Sequence, residues 1–382
     1  MPWEETEPMI ERIKFVLDVE SGVFQFSEIC QRYGVSRKTG YKWLKRFLEG
    51  GVEALRDQSR APHYCPHKTP KEVEDKIVKM REKHKSGPVT LRYRLERLHP
   101  QIDWPAISTI GEILKRRGQV EPRKRRRRPQ GLYSAQQVQT DKPNQVMTAD
   151  FKGQFRTQDG HYCYPLTMQD HCARYSFCCE AMKSTSARPA RDQFERVFEE
   201  YGLPEAILTD NGTPFAGNGL RRLSRLSVWW IRLGIQPLLI QLGHPEQNGR
   251  HERYHRTLKQ QTAFPPAENL KAQQQVFDHF RQDYNHQRPH QGLGGKTPAE
   301  VYRPSQRPYP QRLPALEYPG HFEVRRVGSR GQIKLHGRRI FLSEVLEHQR
   351  VGLEEFKEGI WSIYLGQTLL GRYNERENKL YG

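Results

Sequence analysis

The chain has 382 residues, with 63 basic side chains against 44 acidic ones and a formal net charge of +19. That length implies two to four domains, and a charge that large points to a polyanionic partner, nucleic acid before membrane. No stretch approaches the roughly 20 apolar residues of a bilayer-spanning helix, since even Val228–Leu242 is broken by Arg232, Gln236 and Pro237.

Met1–Glu11 is acidic and lacks the pattern of a secretory leader, so a cytoplasmic, DNA-associated protein is expected. Pro8–Glu20 places Ile10, Ile13, Phe15, Val16 and Leu17 on roughly one helical stripe. Beyond it, Ser27 can cap a short helix ending at Tyr33, Gly34 supplies a left-handed turn, and Ser36 caps a second helix to about Leu48. This is a helix-turn-helix pattern, predicted over residues 1–60 with Ile29, Val35, Trp43, Leu44 and Phe47 as core. Arg37, Lys38, Thr39, Lys42 and Arg46 then face outward, where a recognition helix meets bases and phosphates. The plainer alternative is a helical hairpin with a solvated basic face. Gly40 inside the second helix costs roughly 1 kcal/mol of propensity.

His63-Tyr-Cys65-Pro-His67 is followed by no second ligand pair at zinc spacing, and none of the six cysteines forms a C-x-x-C pair. They read as reduced thiols. Residues 66–120 hold three more helices: Lys71–Lys85 after Thr69-Pro70, then Thr90–Leu98, then Ser108–Arg117 closed by Gly118. A second small DNA-binding bundle is expected there. Residues 121–140 form a basic linker in which Arg123, Lys124, Arg125, Arg126, Arg127 and Arg128 are consecutive cations. Their repulsion argues against a packed fold. Lying on DNA phosphates is the first reading; a nuclear-targeting signal or a solvated linker are the alternatives.

Residues 141–304 change character. Gln145–Phe151 reads as a strand with Asp150 near its end, and Tyr162–Met168 and Tyr175–Ala181 as two more. A helix over Ser186–Tyr201 is closed by Gly202, and the strand Ala206–Thr209 runs into Asp210-Asn211-Gly212. A helix near Leu220–Leu233, a strand Gln236–Ile240 and a long helix Pro245–Thr262 carrying Glu252 follow. Taken singly, the two aspartates are ordinary turn chemistry and Glu252 a partner for Arg256 one turn on. Their order, however, brings three acids to one edge of a sheet. Such a cluster suits hard divalent cations, Mg²⁺ or Mn²⁺. Two of them, about 3.5–4 Å apart, can activate an attacking oxygen and stabilise a leaving one.

Three stretches carry a resemblance: Met147-Thr-Ala-Asp150-Phe-Lys-Gly153, Leu208-Thr-Asp210-Asn-Gly-Thr-Pro-Phe215, and His244-Pro-Glu-Gln-Asn-Gly-Arg-His-Glu252-Arg-Tyr-His-Arg-Thr-Leu-Lys259. From about Gln145 to Tyr302 the chain resembles the integrase catalytic core of retroviral integrases and bacterial insertion-sequence transposases. Tyr284-Asn285, Arg288-Pro289-His290 and Thr297-Pro298-Ala299-Glu300 resemble the tail of the bacterial members. The resemblance implies a ribonuclease H-like fold, an Asp150, Asp210, Glu252 triad holding the metals, and polynucleotidyl transfer. Forty-one residues separate Asp210 from Glu252, longer than usual for the family, and the extra length is expected as a surface loop or helix extension at Ala216–Ser227. Glu246 is the rival third ligand. On one continuous helix it lies about 240° from Glu252, and its place in the first turn suits the helix dipole. Lys259, seven residues after Glu252, shares its face and is expected to hold terminal DNA phosphates.

After Pro-rich Arg303–Pro319, residues 320–382 alternate with period two. Phe322–Val327, Gln332–Leu335, Arg338–Leu342, Gly352–Phe356, Ile360–Leu365 and Thr368–Arg372 are strand candidates, with turns at His336-Gly337 and Glu358-Gly359. A small C-terminal β-barrel is predicted, touching DNA or serving structure and dimerisation. The expected whole is a multidomain α+β protein: helix-turn-helix units, a ribonuclease H-like α/β catalytic core and the barrel. Its function is that of a DNA transposase acting on double-stranded DNA as a homo-oligomer. A DNA-binding regulator with an inactive core and a metal-dependent nuclease without strand joining are the rivals.

Overall fold

A computed structural model describes residues 8–57, 68–120, 138–241 and 244–382, with Pro245 and Glu246 as backbone only. The basic run Arg123–Arg128 and the His63–His67 motif lie outside the described residues. The chain divides into two compact units, Met1–Lys68 and Thr69–Gly382. No helix among the described residues is long and apolar enough to cross a membrane.

The first unit holds α1 (Pro8–Glu20), α2 (Phe26–Arg32) and α3 (Arg37–Gly50). Ser36 caps α3 through its hydroxyl, which accepts from the Thr39 amide at 3.2 Å. The cap of α2 is Gln25 and not Ser27, and the Gln25 amide donates to the Glu28 carboxylate at 3.1 Å. Gly34 makes the turn at φ +62°. Phe15, Val16, Ile29, Cys30 and Leu55 form the core, with Val35, Trp43, Leu44 and Phe47 packed against it.

Gly40 has a packing reason. A Cβ there would sit 2.9 Å from Cys30 Sγ and from the ring tips of Phe15 and Phe26. Gly40→Ala should therefore destabilise this unit by about 1–3 kcal/mol through overpacking, although alanine is the better helix former by roughly 1 kcal/mol. A denaturant titration checks the sign; a stabilised variant would show that α2 and α3 separate at little cost.

In the second unit, α4 (Lys71–His84), α5 (Pro88–Leu98) and α6 (Ile107–Arg116) close over Ile77, Leu91, Leu95, Trp104, Ile110, Ile113 and Leu114. This bundle is fastened to the region that follows. Arg94, 4% exposed, grips the Asp283 carboxylate with both guanidinium nitrogens at 3.0 and 2.5 Å, and Arg97 pairs with Glu300 at 2.7 Å.

The central sheet comprises β1 (Val146–Phe151), β2 (Phe155–Arg156), β3 (Tyr162–Asp170), β4 (Ser176–Met182), β5 (Ala206–Thr209) and β6 (Gln236–Leu239). Its main order is β4-β3-β1-β5-β6, antiparallel up to β1 and parallel from β1 to β6, with β2 added to β3. Strand alternation gives it two unlike faces. Met147, Ala149, Leu166, Met168 and Ile207 face α7 (Ala187–Tyr201) and α8 (Arg225–Arg232), burying Phe194, Phe198, Trp229 and Trp230. Thr148, Thr167, Gln169 and Ser176 are buried on the other face, beneath α9 (Gly249–Thr262) and α10 (Leu270–Gln282). There Tyr254 bonds Ser176, and Tyr284 receives a bond from Gln169. This is the mixed α/β core expected from the sequence, with helices on both faces of the sheet. Past α10 a π-helical turn, Asp283–Gln287, carries Asn285, whose amide both receives from and donates to the Ser176 backbone. A short helix, α11 (Pro298–Val301), ends the region.

Two expectations change. The predicted single helix from Pro245 breaks into a 3-10 turn, Pro245–Asn248, and α9, so Glu246 precedes the helix and Glu252 occupies its first turn. The C-terminal strands do not close into one barrel. β7 (Glu323–Arg326), β10 (Arg350–Lys357), β11 (Ile360–Leu365), β12 (Thr368–Asn374) and β13 (Lys379–Tyr381) make a five-stranded sheet, while β8 (Gln332–Leu335) and β9 (Arg338–Phe341) pair only with each other. Both sheets share one core, which includes Leu223, Val228 and Ile231. The Ala216–Ser227 stretch is thus a dock for these sheets and not a free surface loop: Arg221 donates to the Leu369 carbonyl and Leu220 packs beside Gly371.

Candidate active site

Two neighbouring parallel strands deliver the first two acids. β1 and β5 pair in register from Val146 with Ala206 to Ala149 with Thr209, so Asp150 and Asp210 are the next residues on the two strands. The Asp210 turn is held in place: Gly212 N donates to Asp210 Oδ1 at 3.2 Å, Asn211 donates to the Ile240 carbonyl at 2.7 Å, and Phe215 packs against Phe151, Phe194 and Trp230. Glu252 approaches from the exposed side of the first turn of α9. Both other acids act on Asp150, although the three carboxylates are not gathered within 4.8 Å of one another. Burial, then Asp210, and more weakly Glu252, push the Asp150 carboxyl up to about 7, against the pull of Lys152.

Between α9 and the sheet lies a buried polar seat. The Thr167 hydroxyl, opposite Asp150 on β3, donates to the Asp150 carbonyl at 3.0 Å. Its lone pairs then receive His251 Nε2 and His255 Nε2, each at 2.7 Å. His251 Nδ1 meets the Thr148 hydroxyl at 2.7 Å, and His255 Nδ1 lies 3.6 Å from the Asp150 carboxylate. Burial pushes the His251 imidazole down to about 3 and that of His255 lower still, so both are neutral. Asp150, His251 and His255 lie close enough to suggest a metal cluster. Yet both ring nitrogens of His251 are engaged by threonines, so it acts as a bridge and not as a ligand. These histidines, four residues apart on α9, were not singled out by the sequence reading; their i, i+4 spacing beside Glu252 was the available signal.

The other expected residues are placed as follows. Arg37 and Lys38 are exposed at the start of α3. Lys42 and Arg46 lie over the Trp43 ring, each 5.0 Å from its centroid. The Thr39 hydroxyl is 3.0 Å from Ser36 Oγ and belongs to the cap. Lys259 is exposed in the last turn of α9, over Phe264. The Glu246 side chain lies outside the described residues.

The raised Asp150 carboxyl has a consequence for stability. Its folded value of about 7 exceeds its ordinary 3.8, so the folded state keeps a proton that the unfolded chain releases. Without metal, the contribution of this carboxyl to stability falls as pH rises from about 4 through about 7, by at most about 4 kcal/mol, while the buried neutral His251 and His255 contribute in the opposite direction. In EDTA the melting temperature of the wild type relative to Asp150→Asn should therefore drop between pH 5 and pH 8, and Mg²⁺ should restore the wild type at pH 8. Parallel pH profiles for the two proteins would refute it.

Residues 140–245 and 233–298 match the integrase core domain, residues 11–63 a helix-turn-helix domain, and residues 39–114 a homeodomain-like domain. The chain is 31% identical over 140 residues to an uncharacterized Caenorhabditis elegans protein, covering 37% of this chain and 10% of that one. It is 25% identical over 217 residues to an uncharacterized 31.7 kDa protein of insertion element IS407 from Burkholderia multivorans, covering 55% of this chain and 75% of the relative. Identity to the transposase InsD of insertion element IS2D from Escherichia coli is 31% over 102 residues, 26% of this chain and 32% of that one. The chain thus spans a tenth of the nematode protein and about a third of the IS2D transposase. Among solved structures, the HTLV-2 integrase catalytic core domain in complex with magnesium covers 42% of this chain and 98% of its own, at 15% identity and a TM-score of 0.35. A chain of a simian T-cell lymphotropic virus intasome in complex with PP2A regulatory subunit B56 gamma covers 77% of this chain and 97% of its own, at 16% identity and a TM-score of 0.37.

Proposed function

Since the chain carries an integrase core domain and helix-turn-helix domains and is related to insertion-sequence transposases, we propose that it is a DNA transposase. It binds transposon ends, nicks a strand, and joins the freed 3′-hydroxyl to target DNA. The observation that carries this reading is the β1–β5 register that sets Asp150 beside Asp210, with the charge of Glu252 felt at the same carboxyl. In this proposal Asp150, Asp210 and Glu252 are the catalytic, metal-holding residues. The donor set is all oxygen, and its uncompensated negative charge suits hard Mg²⁺ or Mn²⁺. Such ions, when bound, activate the attacking oxygen and stabilise the leaving one in an in-line phosphoryl displacement.

The chain's own side chains supply the frame. Thr167 and the two neutral histidines fix α9 against β1, and with it the approach of Glu252 to the strand ends. In the same reading Lys259, two turns along α9 and exposed, holds the phosphates of the terminal strand. A homo-oligomer on double-stranded DNA belongs to the same proposal, since two ends must meet one target. Incubation of the protein with a pre-cut end, target plasmid and Mg²⁺ tests it: joined product is expected, hydrolysis alone would leave a nuclease, and binding alone a regulator.

A further inference from the structure

Behind α9, away from the buried histidines, lies a cavity of about 260 Å³ between that helix, the turn after β3 and the segment Tyr284–Gln291. Besides Arg256, four of its walls are arginines: Arg174, Arg250, Arg253 and Arg288. None of the four forms a salt bridge among the described residues, whereas nearby Arg94 has Asp283. Arg250 and Arg288 have only neutral partners, the His171 carbonyl at 2.8 Å and the Ser86 hydroxyl at 3.4 Å. Arg174 and Arg250 are close enough that each repels the charge of the other, and Arg253 adds to the repulsion. Arg288 feels the Asp283 carboxylate, but Arg94 already grips that group, so cations outnumber counter-charge here and raise the free energy of the site unless an anion visits it.

Two further features show that the site is built. Arg174 sits at φ +58°, a left-handed conformation that favours glycine or asparagine over arginine. Its guanidinium crosses Gly292 so closely that a Cβ there would lie 2.0 Å from Nη2. His290, 8% exposed, lines the cavity with Nε2 buried and without a hydrogen-bond partner. A neutral imidazole with its proton on Nε2 donates one bond to an anion.

We propose that this cavity binds one phosphodiester group of a DNA strand, with the arginine forks on its oxygens and His290 as the buried donor. The inference rests on the transposase reading, because Arg253 and Arg256, which border the cavity, lie one residue and one helical turn after Glu252 on α9. Planar guanidinium pairs match phosphate oxygens two at a time. The motif Arg288-Pro289-His290, which the triad does not use, thereby gains a role in holding substrate.

The test is metal-free. Full-length protein in EDTA is titrated with a labelled transposon-end duplex at several salt concentrations. Arg253→Gln, exposed and safe for folding, and Gly292→Ala, which changes no charge but displaces Arg174, should each weaken binding about tenfold. The double variant Arg174→Gln/Arg253→Gln should flatten the log–log salt slope by about 0.9, one phosphate's worth and not two. Unchanged melting temperatures confirm folded variants. Full affinity and slope in the variants would overturn the proposal. So would loss of inorganic phosphate binding with DNA affinity intact, which would mark a free-anion site. Because no metal or cleavage enters, failure of strand joining refutes the transposase reading without touching this result.

Discussion

Asp150→Asn, Asp210→Asn and Glu252→Gln should each lower strand cleavage and joining by at least about 10³-fold, the scale of losing a central electrostatic stabiliser. DNA affinity in EDTA should stay within a few-fold, because affinity comes from phosphate contacts elsewhere. The amide variants keep shape and hydrogen-bonding capacity, so the adjoining strand ends and the Gly212–Asp210 turn remain in place. What they remove is negative charge, which adds to burial in raising the Asp150 carboxyl and which a divalent cation would neutralise. Glu246→Gln should keep substantial activity, since Glu246 lies in the turn before α9 while Glu252 lies within it. The assay is cleavage and joining of a labelled end with Mg²⁺. An inactive Glu246→Gln beside an active Glu252→Gln would reverse the assignment of the third acid.

The meeting of Asp150 and Asp210 was legible because both aspartates end apolar strands in turn-forming sequence, and because the motifs come in one order. The seat beneath them was not. Thr148 and Thr167 read as ordinary strand residues, and their partners on α9 lie 103 and 84 residues away. Such contacts exist only once the sheet order is known. The break before α9 was hidden by helical periodicity running through Pro245. The missing barrel closure has a similar cause: alternation identifies each strand, but the partner of a non-neighbouring strand is a matter of register and of what else packs on the sheet. Here Leu220 and Leu223, in a stretch read as a surface loop or helix extension, join that core.

DNA recognition should divide between two parts of the chain with opposite signatures. Arg37 and Lys38 open α3, exposed and without a salt bridge among the described residues, the position from which a recognition helix reaches base edges. Their orientation is fixed by the Ser36 cap and by Gly40 packed against Phe15, Phe26 and Cys30. One good base contact is worth about 1–3 kcal/mol of discrimination. Arg37→Ala/Lys38→Ala should therefore lower the ratio of end-sequence to scrambled-sequence affinity by about 100-fold, with a smaller loss on scrambled DNA. The run Arg123–Arg128 lacks such a scaffold in its sequence, and six adjacent cations neutralise phosphates without presenting a pattern to bases. Changing it to Gln should flatten the salt slope by up to roughly 5 and weaken both duplexes alike, leaving their ratio nearly unchanged. Titration of both duplexes with both variants, across several salt concentrations, separates the two roles. If the α3 variant weakened both duplexes equally, α3 would be only a basic face. If the ratio collapsed in the linker variant, sequence would be read through the linker.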